Sequence, residues 1–203
     1  MKITFLGGGN MANALIGGMF KQGFAAADIT VIDPGSAARD KLERTYAVNC
    51  LETGEMLDNI GDLLVLAVKP QQMKDAVTPL VDKLGNAVVV SIAAGLDLAT
   101  LARFLGGHRK IVRCMPNTPA LIGAGITGLC PLPEVSAAER EAADCVLSAV
   151  GSTVWIDNEG RMDGVTALSG SGPAYVFLFI EALQQAAADL GFTPEQGRQL
   201  AIE

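Results

Sequence analysis

The feature that most constrains this chain is a glycine-rich turn at its start. The apolar run Lys2–Leu6 (KITFL) is followed at once by Gly7-Gly8-Gly9-Asn10-Met11-Ala12, and then by the helical pattern Met11–Gln22, closed by Gly23. A strand feeding a helix through G-x-G-x-x-G/A has a specific physical use. The first glycine makes the tight turn, and Gly9 lets a pyrophosphate approach the backbone. Ala12 allows close helix–strand packing, while the free N–H groups and positive dipole end of the helix face the anion. The plainer alternative is a merely tight strand-to-helix turn.

The alternation continues through the first half. Ile29–Ile32, Asp62–Val68, Ala87–Ile92 and Lys110–Met115 read as strands; Ala37–Tyr46, Gln71–Leu84 and Leu98–Leu105 read as helices. Asp62–Val68 is apolar on both faces, as a central parallel strand must be. Repeated units of this kind predict an α/β fold with a Rossmann-type, doubly wound, mostly parallel sheet. Beyond it, Ser136-Ala-Ala-Glu139 is a capping box opening a helix to about Val150, and Thr153–Ile156 is one more strand. After Asp157–Gly160 the pattern is helical only. A long helix is expected from Pro173 to about Leu190, and another starts at Thr193-Pro194. The boundary falls near residue 158, giving a dinucleotide-binding domain at 1–158 and the start of a helical domain at 159–203.

Within this frame, Asp33 ends the second strand 21 positions after Ala12, where an acid would take the adenine-ribose hydroxyls. It favours NAD and repels a 2′-phosphate, whereas Ser36 and Arg39 in the same loop would accept one, so NADH and NADPH both stay open. A turn acid before Pro34 is the structural alternative. Ala67, Val68, Lys69 and Pro70 leave one buried strand and Ala93, Ala94 and Gly95 the next, at the carboxyl ends where such sheets bind ligands. Asn117, between Pro116 and Pro119, either faces a ligand or belongs to a stiff connector. Ser169-Gly170-Ser171-Gly172-Pro173 is either a flexible turn with proline at the first helical position or a second anion-accepting helix start.

Composition narrows the classes. Half the residues are apolar, which excludes a disordered chain. Residues 1–115 carry 12 basic and 11 acidic side chains, whereas residues 116–203 carry three and 11; duplex nucleic acid would be repelled by the second half. The longest apolar run near the C-terminus, Ala174–Ile180, is seven residues, short of a membrane span, and no secretory signal is visible. A cytoplasmic protein is expected. Cys50, Cys114, Cys130 and Cys145 lack metal-ligand spacing, so no metal site and no disulfide framework are expected. The single histidine, His108, lies in a turn, and no lysine follows Lys110. A carbonyl substrate usually needs a placed His, Lys or Tyr to handle the proton; a protonated C=N bond draws a hydride with less help. No side chain is assigned a catalytic role.

Taken together, FLGGGNMANALIGG, LAVKPQ, VSIAAG, VRCMPNTPALIGAG and VTALSGSGPAY, running from residue 5 to 175, resemble the pyrroline-5-carboxylate reductases. The resemblance implies a Rossmann-type domain, a C-terminal helical domain that interleaves with a partner into a homodimer or higher homo-oligomer, and NADPH or NADH as cofactor. It also implies hydride transfer to the imine of 1-pyrroline-5-carboxylate, giving L-proline. By it, Leu6, Gly7, Gly8, Gly9, Asn10 and Met11 hold the pyrophosphate and adjoining ribose, and the loop with Asp33 and Ser36 reads the adenine ribose. Ala67–Pro70 and Ala93–Gly95 lie along the nicotinamide half. Asn117, Glu159 and Ser169–Pro173 face the substrate, Glu159 standing where the family has an acid near bound proline. Two departures stand out: Thr53-Gly54 occupy a region where an asparagine is usual, and the family's later helices and its Ser/Gly/Thr-rich carboxylate loop would follow beyond Glu203. The alternatives are a non-catalytic dinucleotide-binding or oligomerisation fragment, and a β-hydroxyacid dehydrogenase-like enzyme. The latter should carry a catalytic lysine on the long helix, which has none.

Overall fold

A computed structural model describes residues 1–203. Eight strands form one sheet: β1 (Ile3–Leu6), β2 (Ile29–Ile32), β3 (Asn49–Leu51), β4 (Leu63–Leu66), β5 (Val88–Ser91), β6 (Ile111–Met115), β7 (Gly125–Pro131) and β8 (Gly151–Trp155). Their order is β3-β2-β1-β4-β5-β6-β7-β8. The first six are parallel, while β7 runs antiparallel to β6 and β8 parallel to β7. The order reverses between β1 and β4, so the carboxyl ends of these two strands open a crevice. The helices are α1 (Asn10–Lys21), α2 (Ser36–Tyr46), α3 (Met73–Val77), α4 (Leu98–Phe104), α5 (Ala137–Leu147), α6 (Met162–Val165), α7 (Gly172–Asp189) and α8 (Pro194–Ile202).

The strands sort their side chains by alternation. On one face Phe5, Val65 and Val90 pack with Leu15, Ile16 and Met19 of α1 and Val146 of α5. On the other, Leu64, Leu66 and Val89 pack with Met73, Val77 and Leu101. Both faces of β1, β4 and β5 are therefore covered, which is why those strands read as unbroken apolar runs. Thr4, buried in β1, donates its hydroxyl to the Ile60 carbonyl at 2.7 Å and so leaves no polar atom stranded.

Two expectations need correction, and two strands are added to those expected. The helix expected over Gln71–Leu84 is broken into α3 between two 3-10 segments, Pro70–Gln72 and Thr78–Lys83. Pro79 has no N–H to donate back to Asp75, so the tighter turn takes over. Strands β3 and β7 escape sequence reading because one is only three residues long and the other, GITGLCP, carries two glycines and a proline. The stretch Ser169–Pro173 is not a turn opening a fresh helix. Thr166–Gly170 is π-helical, the Ser171 N–H donates to the Thr166 carbonyl at 2.8 Å, and the chain stays helical from Glu159 to Asp189. Those 31 residues, with a window of mean hydropathy 1.2, are long and apolar enough to span a membrane by length and composition, although no uninterrupted apolar run is.

Candidate functional site: a dinucleotide cleft at the strand ends

The crevice is real and large. A cleft of about 800 Å³ lies over the carboxyl ends of β1, β2 and β4. It gathers Leu6, Gly7, Gly9, Asp33, Ala67, Val68 and Lys69, which lie up to 63 positions apart in the chain. The backbone ladder sets their places: Gly7 N–H donates to Ile32 O at 2.8 Å and Ala67 N–H to Leu6 O at 2.8 Å.

Two glycines show what the turn is for. Gly7 has φ +105°, and a Cβ there would sit 2.7 Å from the Ala67 carbonyl oxygen, so the loop presses against the exit of β4. Gly9 is the reverse: a Cβ would meet nothing within 4 Å. No packing demand explains a glycine at that point, whereas a ligand approaching the backbone does. The first α1 bond of the ladder runs from Asn13 N–H to Gly9 O at 2.9 Å, which leaves the N–H groups of Asn10, Met11 and Ala12 outside it, at the positive end of the helix dipole. A dinucleotide pyrophosphate fits this cradle.

Asp33 does more than the sequence reading required. Its carboxylate accepts from Gly8 N–H at 2.7 Å and from Gly35 N–H at 2.8 Å. It therefore locks the glycine turn to the β2 exit while still lining the cleft. Arg39 donates to the carbonyls of Asp33 and Pro34 at 2.7 and 2.9 Å and stands 3.6 Å from Glu52, so its guanidinium is folded under the loop. The side chains of Asp33, Glu52 and Asp75 line this cleft, against Lys69. Ser36 is exposed at the start of α2 and Pro70 lies at the β4 exit, both outside the cleft lining.

Sequence reasoning missed Glu52, Gln71, Gln72, Asp75 and Pro79 as cleft residues. For Glu52 the missing signal was β3, which pairs with β2 and carries Glu52 and Thr53 to the cleft rim; the other four lie on the broken helical stretch that follows β4. Lys83 holds that rim in place by donating to the carbonyls of Gly54, Glu55 and Leu57 at 2.9, 2.9 and 2.6 Å.

The residues expected on the substrate side are placed as follows. Ala93 is buried, Ala94 and Gly95 are exposed, and none of the three lines the cleft. Asn117 is buried and held within the fold: its Oδ1 accepts from Ile126 N–H at 2.9 Å and its Nδ2 donates to Ser169 O at 3.2 Å. It ties the β6–β7 connection to the π-helical segment. Gly170 sits against Met115, where a Cβ would fall 2.9 Å from its Cε. Glu159, expected near substrate, accepts through Oε1 from Arg113 Nη1 at 2.9 Å and from the Leu98 N–H at 2.7 Å. Because the helix is continuous through Ser171, Gly172 and Pro173, the first turn of α7 offers no isolated, free helix start.

The remaining reactive side chains lie elsewhere. His108 Nε2 is 2.9 Å from Ala87 O, at the amino end of β5 and so across the sheet from the cleft. Burial pushes the Cys114 thiol up, and Cys130 likewise; Cys50 is pushed up to about 11, chiefly by burial with Glu43 adding. These thiols stay protonated at neutral pH and offer no thiolate nucleophile. No three His, Cys, Asp or Glu side chains converge in a metal-binding geometry.

Comparison with known proteins agrees with this geometry. Residues 2–95 match the family described as NADP oxidoreductase coenzyme F420-dependent, and residues 159–203 match pyrroline-5-carboxylate reductase dimerisation. The pyrroline-5-carboxylate reductase of Pseudomonas aeruginosa is 45% identical over 203 residues, covering 100% of this chain and 74% of that protein. The structure of a pyrroline-5-carboxylate reductase from Coxiella burnetii superposes with a TM-score of 0.93 at 37% identity, over 98% of this chain and 75% of that one. A Plasmodium falciparum pyrroline carboxylate reductase solved with NADP bound gives 0.85 at 30% identity, over 100% and 74%. The chain thus spans about three-quarters of the length of its relatives. With an open dinucleotide cradle at one end and a helical segment that matches the dimerisation region at the other, the chain belongs to the pyrroline-5-carboxylate reductase family.

Proposed function

We infer that this protein reduces the C=N bond of 1-pyrroline-5-carboxylate to L-proline with NAD(P)H. The observation that carries the reading is the cleft beside Gly9, open where no protein packing requires it, in a chain of this family. Reduction adds one hydride to the imine carbon and leaves the ring nitrogen, with its proton, as a secondary amine. Bound NAD(P)H supplies the hydride.

The protein's own contribution is position. The N–H groups at the start of α1 and the turn Leu6–Met11 would hold the pyrophosphate. Asp33 and the loop reaching Ser36 would meet the adenine ribose, and Ala67–Pro70 and Ala93–Gly95 would run along the nicotinamide half. Ser169–Pro173 would present the substrate side from the helical segment. The helical segment carries no histidine or lysine, and Lys69 at the β4 exit is the lysine nearest the nicotinamide half in this reading; an imine that arrives protonated needs little further help with the proton.

Residues 1–158 act in this reading as the dinucleotide domain, and 159–203 as part of a self-assembling helical domain. Tyr175, Val176, Phe177, Leu178 and Phe179 are each 56–66% exposed, a patch that a second copy of the chain would cover. The test is direct. The purified full-length protein is incubated with the imine and either NADH or NADPH, following nicotinamide absorbance and proline formation. Proline produced in step with cofactor oxidation is the expected result; no turnover with either cofactor overturns the reading.

A further inference from the structure

Glu159 sits where the sheet meets the helical stretch that it opens. Its Oε1 accepts from the Leu98 N–H at 2.7 Å and from Arg113 Nη1 at 2.9 Å, while Arg113 Nη2 lies 3.8 Å from Asp163, one turn further along. Arg113 is well covered, its side chain only 11% exposed. In the sheet Arg113 of β6 is the register partner of Ser91, the last residue of β5. Leu98 is the first residue of α4, reached from Ser91 through residues 92–97.

These contacts close a ring. From Ser91 the chain runs out through Ala93, Ala94 and Gly95 to Leu98, crosses to Glu159, then to Arg113, and returns to Ser91 across the sheet. Within 92–97, Ile92 is tied to the sheet through its N–H to Leu66 O at 3.1 Å and Ala93 is buried, whereas Ala94 and Gly95 beyond them are exposed and Gly95 takes φ +77°. A second tie further along the same helical stretch, Asn117 Nδ2 to Ser169 O, reaches the π-helical segment. The carboxylate at Glu159 thus fixes two things at once, the end of the 92–97 loop and the root of the helix that carries Ser169–Pro173.

We propose that Glu159, acting through Arg113 and the Leu98 N–H, is a positioning residue for hydride transfer: it sets the spacing between the Ala93–Gly95 loop and the Ser169–Pro173 segment. The proposal rests on the reductase reading above and adds to it. In the reductase reading the pyrophosphate is held at the Gly7–Met11 turn, which lines the cleft with Asp33 and is remote in sequence from the ring. Loosening the ring should therefore misplace the reacting groups without releasing the dinucleotide, and reaction rate falls steeply with such misplacement. A carboxamide keeps an acceptor oxygen for the Leu98 N–H and Arg113, whereas a methyl group keeps none.

The test compares Glu159→Ala and Glu159→Gln with the unsubstituted, full-length, assembled enzyme. Steady-state kinetics, NAD(P)H binding by fluorescence, and hydrogen exchange of residues 92–104 are measured for each. Glu159→Ala should lower kcat by roughly 10- to 100-fold, while the NAD(P)H Kd stays within about twofold. Exchange of the Leu98 amide should accelerate by at least about tenfold, because its acceptor is gone. Glu159→Gln should recover kcat to within roughly threefold and restore the Leu98 protection. A kcat for Glu159→Ala within about twofold of the unsubstituted enzyme overturns the proposal. So does a loss confined to cofactor affinity, or a Glu159→Gln variant with Leu98 protected but kcat still depressed. If Glu159→Ala does not fold, Glu159→Gln decides by that last criterion. An unsubstituted enzyme that never reduces the imine overturns the reductase reading and this proposal together; an active one indifferent to Glu159→Ala overturns this proposal alone.

Discussion

Strand β4 and helix α7 are both apolar along most of their length, and they meet opposite fates. Leu63, Leu64, Val65 and Leu66 are each fully buried, flanked by β1 and β5 and roofed by helices on both faces. Along α7 only Ala187 is buried, and the run Tyr175–Phe179 lies open. The same kind of residue thus serves two different partners. In β4 the cover comes from the chain itself, because short crossovers return neighbouring strands and helices within a few tens of residues. In α7 only α8 packs closely along the helix, so the rest of its apolar surface calls for another body. The dimerisation match over residues 159–203 says what kind of body that is in this family.

Substitutions that act on one region and spare the other test this contrast. The largest effect belongs to the covered strand: Leu64→Ala should cost about 2–5 kcal/mol of stability through lost burial and a residual cavity, read by chemical denaturation. In α7 the paired change Phe177→Asp and Phe179→Asp should leave the sheet's circular dichroism intact and reduce the particle mass seen by light scattering. Each deleted anchor would cost the assembly on the order of 2 kcal/mol. An unchanged mass would show that this face is covered by something other than a second copy.

Next in size is the cofactor turn. Gly9→Val should weaken dinucleotide binding at least about 100-fold, or about 2.7 kcal/mol, with little change in melting temperature. The empty space around a Cβ at Gly9 is the reason: the side chain starts where no protein atom lies within 4 Å and grows into the space a bound pyrophosphate needs. A variant that binds NADH normally would move the site elsewhere.

Asp33→Ser has two separable consequences. Removing a carboxylate near the ribose should shift the NADPH-to-NADH ratio of kcat/KM toward NADPH by about 1–2 kcal/mol. Losing the charge-assisted acceptor for Gly8 and Gly35 should also lower stability by roughly 1.5–3 kcal/mol. A stability loss with no change in the cofactor ratio would assign Asp33 to the turn alone.

The smallest effect is at the N-cap of α4. Asp97 accepts from the Thr100 N–H at 2.7 Å, and Asp97→Ala should cost about 1 kcal/mol. The Thr100 side chain, with its backbone N–H, holds the Asp97 carboxyl below its ordinary value of 3.8. A carboxyl depressed in the native state stabilises above its unfolded pKa and loses that contribution as pH falls through the native value. The gap between variant and parent should therefore be full at pH 6 and shrink below about pH 4.

Much of the sheet portion was legible beforehand because its signals are local. The apolar runs of β1, β4 and β5, the glycine turn and the Ser136–Glu139 capping box each state their structure within a few residues. Other features were not local. β7 becomes a strand only because β6 offers it a free edge, against the preference of its glycines and proline. The helix after Gln71 gave way to Pro79, a residue that could have been weighed as a breaker. For Asn117 the sequence leaves a ligand-facing residue and a stiff connector both open, and for Glu159 it offers only the resemblance; which groups their side chains meet depends on segments 52 and 61 positions away.

By itself the sequence determined the doubly wound sheet and the pyrophosphate turn. Periodicity, burial and backbone freedom at Gly7 and Gly9 act over one or two elements, so they are written in contiguous residues. Only the tertiary structure decided that Asp33 locks Gly8 and Gly35, that Glu52 and Asp75 reach the cleft, and that Asn117 and Glu159 serve as ties. A polar side chain takes whichever partner the fold brings within hydrogen-bond reach, and burial penalises leaving it without one. Such pairings belong to the packed chain as a whole and are not encoded at any one position along it.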